Sequence, residues 1–114
     1  MKHEEILKHD YSDKFDELRK AAILASHYKY GSAKDNFDRY GGVDAIGTLK
    51  KCLDKFEETK NTEYLIDVAN YAMFRFMYPK DGEFYKHTDS DESVGISGIS
   101  QKEMERLRSD NLWD

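Results

Sequence analysis

The stretch NTEYLIDVANYAMFRFMYP, residues 61–79, decides the fold. It predicts the most apolar helix of the chain, and Pro79 ends that helix because proline cannot continue it. Glu63, Asp67 and Asn70 fall at positions i, i+4 and i+7, so they form one polar row on one face of the helix. Buried carboxylates and amides are costly unless they are paired, and the polar row therefore indicates a site.

Two further main helices are predicted before this stretch. Ser12 and Asp13 can cap a first helix that runs to about Tyr28, and Gly31 stops it. A second helix spans roughly Val43–Glu58, and the tight turn 59–62 makes it an antiparallel hairpin with the third. The predicted apolar faces consist of Phe15, Leu18, Ala22 and Ala25 on the first helix and Ile46, Leu49, Leu53 and Phe56 on the second.

The remaining segments are predicted to be short or irregular. A short helix is expected at Glu4–Lys8, and residues 32–42 read as a connecting loop that contains Phe37 and Tyr40. Residues 80–99 form a polar loop with several glycines, and a capping-box sequence at Ser100 opens a last helix over 100–110. No alternating strand pattern is present, so the sequence predicts a single all-α domain, 1–114, with a helical core at 12–79.

This architecture predicts self-association. Three main helices bury a limited core, and a loop of about 20 residues is uncommon in a compact domain unless it serves a function or an interface. We therefore expect a homo-oligomer in which the apolar third helix is buried.

Composition excludes several classes of protein. The chain has 114 residues, 36% of them charged, and a net charge of −5, which argues against a binder of extended nucleic acid. No segment approaches the ~20 apolar residues of a membrane span, so no membrane partner is expected. The first residues lack a signal-peptide layout, and one cysteine, Cys52, fits a reducing compartment. These features predict a cytoplasmic protein.

Four carboxylates are candidates for a metal site. If Glu63 and Asp67 face the second helix across the hairpin, they can meet Asp54 and either Glu57 or Glu58. Mg²⁺ prefers oxygen ligands and commonly joins carboxylates to substrate phosphates, so a magnesium site is one interpretation. In the alternative, Glu63 only interacts favourably with the helix dipole, while Asp67 pairs with a lysine of the second helix.

A basic and aromatic group is the candidate for nucleotide binding. Lysine and arginine near flexible glycines suit phosphate recognition, and a tyrosine face can hold a base. The candidate nucleotide-binding residues are Tyr28, Tyr30, Lys34, Arg39, Tyr40, Lys50 and Lys51, together with Asn70 of the polar row. The alternative is a solvated, charged loop whose tyrosines cover helix ends.

Four short strings resemble a known family: Tyr30-Gly31, Tyr40-Gly41-Gly42-Val43, Leu53-Asp54-Lys55 and Asp67-Val68-Ala69-Asn70-Tyr71-Ala72. Over roughly Phe15–Pro79 the chain is similar to small helical phage and prophage proteins described as MazG-like or nucleotide-modification-associated domains.

The resemblance implies an all-α, usually oligomeric fold that handles nucleotides. MazG-type pyrophosphohydrolases hold magnesium with a Glu-x-x-Glu pair on one helix and a Glu-x-x-Asp pair on another, and cleave nucleoside triphosphates to monophosphates. Here the corresponding pairs are Asp54-x-x-Glu57 and Glu63-x-x-x-Asp67, the second one residue longer than the family spacing.

Three functions stay open on the sequence alone. The first is a magnesium-dependent nucleotide pyrophosphohydrolase. The second is a phage protein, acting in the host cytoplasm, that sequesters a nucleotide signal of host defence without chemistry. The third is a structural or interaction protein in which the polar row is merely a paired network. Nucleotide binding is the preferred prediction, since it is common to the first two.

Overall fold

The structure, a computed structural model, describes residues 2–88, and all regular secondary structure in that range is helical. The all-α prediction is therefore confirmed for this part of the chain. The helices are α1 (His3–Asp10), α2 (Asp13–Tyr30), α3 (Ala33–Phe37), α4 (Ala45–Thr59) and α5 (Glu63–Met77).

The chain divides into two compact units, Met1–Glu83 and Phe84–Asp114, and all five helices belong to the first. The helix predicted at 100–110 and most of the loop predicted at 80–99 lie outside the described residues. The prediction of a single domain stays a prediction.

Side-chain caps set the helix boundaries much as the sequence indicates. The Ser12 hydroxyl accepts a hydrogen bond from the backbone N–H of Phe15 at 3.0 Å, so α2 begins where predicted. Gly31, with φ of 90°, ends α2 two residues later than expected. Asp44 caps α4 by accepting from the N–H of Gly47 at 3.1 Å, so α4 begins later than the predicted Val43.

The segment predicted as the loop 32–42 contains a short helix, so this prediction was wrong in part. The hydroxyl of Ser32 accepts from the backbone N–H of Asp35 at 3.2 Å and starts α3. At the other end of α3, the ring of Phe37 packs on that of Phe74, with 4.8 Å between centroids. A polar cap, the hydrogen bond from the Asn36 amide to the Tyr30 carbonyl and the aromatic contacts of Phe37 thus order a segment whose composition is typical of a loop.

Helix α5 is central to the first unit, because α2, α3 and α4 all pack against it. Its side chains at i, i+4 and i+8, Ile66, Asn70 and Phe74, are buried. Burial elsewhere is shallow. Leu18 and Leu53, which the apolar pattern placed on the packed faces, are 46% and 38% exposed, because α2 and α4 meet α5 along only one side. The predicted self-association stays a prediction.

Arg75 connects the end of α5 to the segment that follows it. Its guanidinium donates two hydrogen bonds to the carboxylate of Glu83, at 2.7 and 2.9 Å, and its Nη1 lies 3.7 Å from the Asp44 carboxylate. The backbone N–H of Lys80 donates to the same Glu83 carboxylate at 2.8 Å. Together these donors lower the pKa of Glu83 to about 2.

Truncation of the central aromatic side chain should destabilise the protein strongly. Phe74 is 8% exposed and contacts the rings of Phe37 and Tyr71, so Phe74→Ala leaves a cavity in the small core. We expect the free energy of unfolding to fall by about 3 kcal/mol in chemical denaturation. Phe76→Ala is the matched control on the same helix, because Phe76 is 70% exposed, and it should cost less than about 1 kcal/mol. Equal losses would contradict the central position of Phe74.

The Arg75–Glu83 pair should make stability depend on pH in acid. Because the pKa of Glu83 is lower in the folded protein, its contribution is complete above about pH 4.5 and is lost as the pH falls towards 2. Glu83→Gln should therefore lower stability at pH 7 and flatten the fall in stability below pH 4.5, measured by denaturation across pH. Glu58→Gln, which removes an exposed pair with Lys55, should leave that slope unchanged. If stability of the Glu83→Gln variant fell below pH 4.5 as steeply as that of the wild type, Glu83 would not be the source of the acid dependence.

Candidate functional site

A pocket of about 180 Å³ lies between α2, α3 and α5. Its walls are formed by Ala22, Ile23, Ser26, His27, Tyr30, Gly31, Ala33, Asn36, Phe37, Val43, Asp67, Asn70, Tyr71 and Phe74. A wider groove of about 700 Å³ runs along the first half of α2 and the first turns of α5; Asp67 lines both cavities, but the buried Asn70 lines only the pocket. The pocket is therefore the stronger candidate for a specific site.

The polar row of α5 runs from the surface into this pocket. Glu63 is exposed, Asp67 is half-buried, and Asn70 is only 5% exposed. The Asn70 amide Nδ2 donates a hydrogen bond to the backbone carbonyl of Arg19 on α2, at 3.1 Å. This bond fixes which end of the amide faces α2, because only the nitrogen can donate.

The other end of the Asn70 amide is unsatisfied. Its Oδ1 is buried and has no hydrogen-bond partner among the described residues. A buried acceptor without a partner costs about 1–3 kcal/mol, and native structures retain few of them. The unpaired oxygen thus belongs to a residue that lines the pocket, and no donor among the described residues satisfies it.

Asp67, next on the row, also lacks a partner. Within residues 2–88, no hydrogen bond or ion pair to its carboxylate is present, so the alternative in which a lysine of α4 pairs with Asp67 is not realised. Burial raises the pKa of Asp67, and the nearby charge of Glu63 raises it further. The same burial raises the pKa values of its neighbours Cys52 and Tyr71.

Aromatic rings form the wall beside these acceptors. Phe37 from α3 lies 4.8 Å from Phe74 and 6.1 Å from Tyr71, measured between ring centroids. Tyr71 and Phe74 meet edge to face at 6.3 Å. Such a cluster offers flat, polarizable surface on which a planar ring can pack.

The rim of the pocket is more exposed and carries a positive charge. Tyr30 lines the pocket but is 64% exposed, and the Lys29 ammonium lies 5.1 Å from the centroid of its ring. No lysine or arginine is among the residues that line the pocket itself. A ligand with a neutral planar part and an anionic part would therefore place the planar part inside and the anionic part at the rim.

The structure brings only three of the predicted site residues together. Tyr30, Asp67 and Asn70 line the pocket, although Asp67 was predicted as a metal ligand and the other two as nucleotide contacts. The remaining predicted nucleotide contacts are exposed and lie outside the pocket lining: Tyr28, Lys34, Arg39, Tyr40, Lys50 and Lys51. Lys34 instead lies 4.0 Å from Asp38, within its own short helix turn.

The four predicted metal ligands differ in their surroundings. Asp54, Glu57 and Glu63 are exposed, whereas Asp67 is half-buried. In the described part of the chain, no three His, Cys, Asp or Glu side chains form a group that could hold a metal ion. The magnesium site stays a prediction.

Sequence reasoning missed most of the aromatic wall. Tyr71 and Phe74 follow Asp67 and Asn70 at helical spacing, at i+4, so extending the polar row by one turn would have found them. The position of Phe37 in the pocket could not be predicted from helical spacing, because its segment reads as a loop. Phe37 reaches the pocket only because α3 packs on α5.

Comparison with known proteins leaves the family open. No protein-family model matches the chain, and neither the curated proteins nor the solved structures searched gave a match. Within residues 2–88, none of the helices combines the length and the apolar character needed to cross a membrane. Any assignment of function therefore depends on the chemistry of the pocket.

Removing the charge of Asp67 should stabilise the unliganded protein at neutral pH. Because its pKa is higher in the folded protein than in the unfolded chain, the ionised carboxylate opposes folding above that pKa. Asp67→Asn should raise the free energy of unfolding at pH 7, and the gain should disappear below about pH 3.8, where the carboxyl group is protonated in both states. Denaturation at pH 7 and pH 3 measures the difference.

Glu17→Gln on α2 serves as the control, because Glu17 is exposed and lies outside the pocket. It should leave stability within about 0.5 kcal/mol of the wild type at both pH values. A destabilised Asp67→Asn variant at pH 7 would mean that the carboxylate is paired.

Proposed function

We propose that this protein binds a small nucleotide and that the base of the nucleotide occupies the pocket between α2, α3 and α5. The observation that carries this proposal is the buried, unpartnered Oδ1 of Asn70 in the pocket wall.

A buried acceptor without a partner, such as the Asn70 Oδ1, lowers the stability of the folded protein. Leucine has nearly the shape of asparagine and would remove the unpaired oxygen, at the loss of one hydrogen bond to the Arg19 carbonyl. A bound ligand that donates an N–H to Oδ1 removes the penalty, so a ligand of this kind explains the asparagine. Nucleobases carry such N–H groups on a planar ring.

The size and walls of the pocket support a single ring system. Its volume of about 180 Å³ is below the roughly 300–1,000 Å³ of pockets that enclose whole drug-sized ligands. The half-buried rings of Phe37 and Tyr71, which pack on Phe74, offer a surface for stacking, which contributes about 1–3 kcal/mol per base in nucleic-acid binders. The sugar and phosphates then extend from the rim past Tyr30.

Lys29 is the cation best placed to meet those phosphates. Its ammonium lies over the ring of Tyr30, which itself lines the pocket. An anionic group that leaves the pocket along Tyr30 comes close to this charge, and the attraction is stronger near a partly desolvated rim than in bulk water.

Binding without chemistry is the form of this function that the described residues support best. The acceptors of the pocket can hold a base, whereas no grouped set of carboxylates in residues 2–88 offers a hydrolytic metal centre. The proposal agrees with the resemblance to phage MazG-like domains in ligand class, and it corresponds to the sequestering alternative, in which a nucleotide signal is held intact.

The proposal is tested by incubating the full chain with nucleoside triphosphates, monophosphates and cyclic nucleotides in the presence of Mg²⁺. We expect at least one nucleotide to be retained with the protein and recovered intact after denaturation, as identified by chromatography. Release of monophosphate and pyrophosphate would replace sequestration with hydrolysis. Failure of every nucleotide to bind would overturn the proposal.

Asn70→Leu locates the binding site. It should weaken binding of the retained nucleotide at least tenfold in titration calorimetry while leaving the free energy of unfolding within about 1 kcal/mol of the wild type. Glu17→Gln, outside the pocket, should bind as the wild type does. Unchanged affinity in Asn70→Leu would place the nucleotide elsewhere on the molecule.

A further inference from the structure

We propose that the pocket selects guanine, because Asp67 and Asn70 present two acceptors that match the adjacent N–H donors of a guanine edge. This inference rests on the proposed function and specifies its ligand.

The α5 wall of the pocket is rich in unused acceptors. Asp67 and Asn70 are three residues apart on one helix and therefore share a face. The amide nitrogen of Asn70 already donates to the carbonyl of Arg19, so the remaining polar atom of the amide is its buried, unpartnered oxygen, which can only accept. An ionised carboxylate accepts only. A ligand at this wall must therefore bring donors.

Among the common bases, guanine alone brings two donors side by side. Its ring N1–H and its exocyclic N2 amine are neighbours on one edge, and both can donate at once. Adenine and cytosine pair one amine donor with a ring nitrogen acceptor, and uracil places its single N–H between two carbonyl acceptors. Each of these bases would place one of its own acceptor atoms against an acceptor of Asp67 or Asn70, and this repulsion lowers affinity in a partly buried site.

The negative charge of Asp67 also favours the donor edge of guanine. Asp67 is half-buried and has no cation, hydrogen bond or ion pair within the described residues. An N–H donor on the Asp67 carboxylate forms a charge-assisted hydrogen bond, which is shorter and stronger than a neutral one, while the neighbouring donor meets the Asn70 oxygen. The hydroxyl of Tyr71, whose ring also lines the pocket, lies in the electrostatic field of Asp67 and can complete the set of polar contacts.

A guanidinium group carries the same pair of donors as guanine, so a free arginine-type ligand shares this chemistry. The aromatic wall and the cation at the rim favour a guanine nucleotide over a guanidinium compound. The cluster of Phe37, Tyr71 and Phe74 suits a bicyclic ring, and Lys29 at the rim attracts a phosphate. A guanine nucleotide uses both features, whereas a small cationic ligand would be repelled by Lys29.

The first test compares ligands on the wild-type protein. Calorimetric titration uses guanosine, inosine and adenosine 5′-monophosphates and agmatine as the guanidinium probe. We expect the guanosine nucleotide to bind at least tenfold more tightly than the inosine nucleotide, which lacks only the N2 amine, and than the adenosine nucleotide. Agmatine should bind more weakly than the guanosine nucleotide.

The outcomes separate this inference from the proposed function. Equal or tighter binding of the adenosine nucleotide, lost in Asn70→Leu, would overturn guanine selection and leave nucleotide binding in place. Binding of agmatine with no binding of any nucleotide would overturn both. An inosine nucleotide that binds as well as the guanosine nucleotide would show that the second donor is not used.

The second test changes the hydrogen-bonding pattern of the wall. Asp67→Asn replaces an acceptor-only carboxylate with an amide that offers one donor and one acceptor. Xanthine carries a carbonyl oxygen where guanine carries the N2 amine, so it matches the amide. We expect at least tenfold weaker binding of the guanosine nucleotide and tighter binding of the xanthosine nucleotide, while Glu17→Gln keeps the wild-type order. Loss of both ligands in a folded variant would contradict direct pairing with Asp67.

Discussion

The first unit depends on the need to bury α5 with very few side chains. Helices α2, α3 and α4 all pack against α5, and its buried side chains follow a single line: Ile66, Asn70 and Phe74. A buried polar group would normally be avoided in so thin a core, because desolvation of an amide is costly. The position of Asn70 between two apolar residues therefore governs both the packing of the helices and the chemistry of the pocket.

The hydrogen bond from Asn70 to the Arg19 carbonyl links the packing of the helices to the chemistry of the pocket. An apolar side chain could pack α5 against α2, but it would not specify the register between them, whereas a directional bond does. The same bond fixes the orientation of the amide and leaves Oδ1 facing no protein donor. One interaction thus joins two helices and leaves a buried acceptor without a partner in a residue that lines the pocket.

The sequence predicted the helices well and the site only in part. Caps at Ser12 and the stop at Gly31 are local signals, and the structure follows them closely. The helical spacing of Glu63, Asp67 and Asn70 correctly indicated a shared face, but spacing does not show which neighbour that face meets. Asp67 lies close enough to Cys52 of α4 and Tyr71 of α5 to raise the pKa values of both. Phe37 was missed because only tertiary packing carries α3 to the pocket.

The unused acceptors also connect binding to stability. Asp67 and Asn70 both oppose folding in the unliganded protein, one through the charge that burial disfavours and the other through its unpaired oxygen. A ligand that donates to both removes these penalties at the centre of the thin core and binds only the folded state. The stability it adds grows with concentration as RT ln(1 + [L]/Kd), about 2.7 kcal/mol at a hundredfold excess over Kd. In a unit with so few buried side chains, a ligand bound in the pocket would also help to hold α2 and α3 against α5.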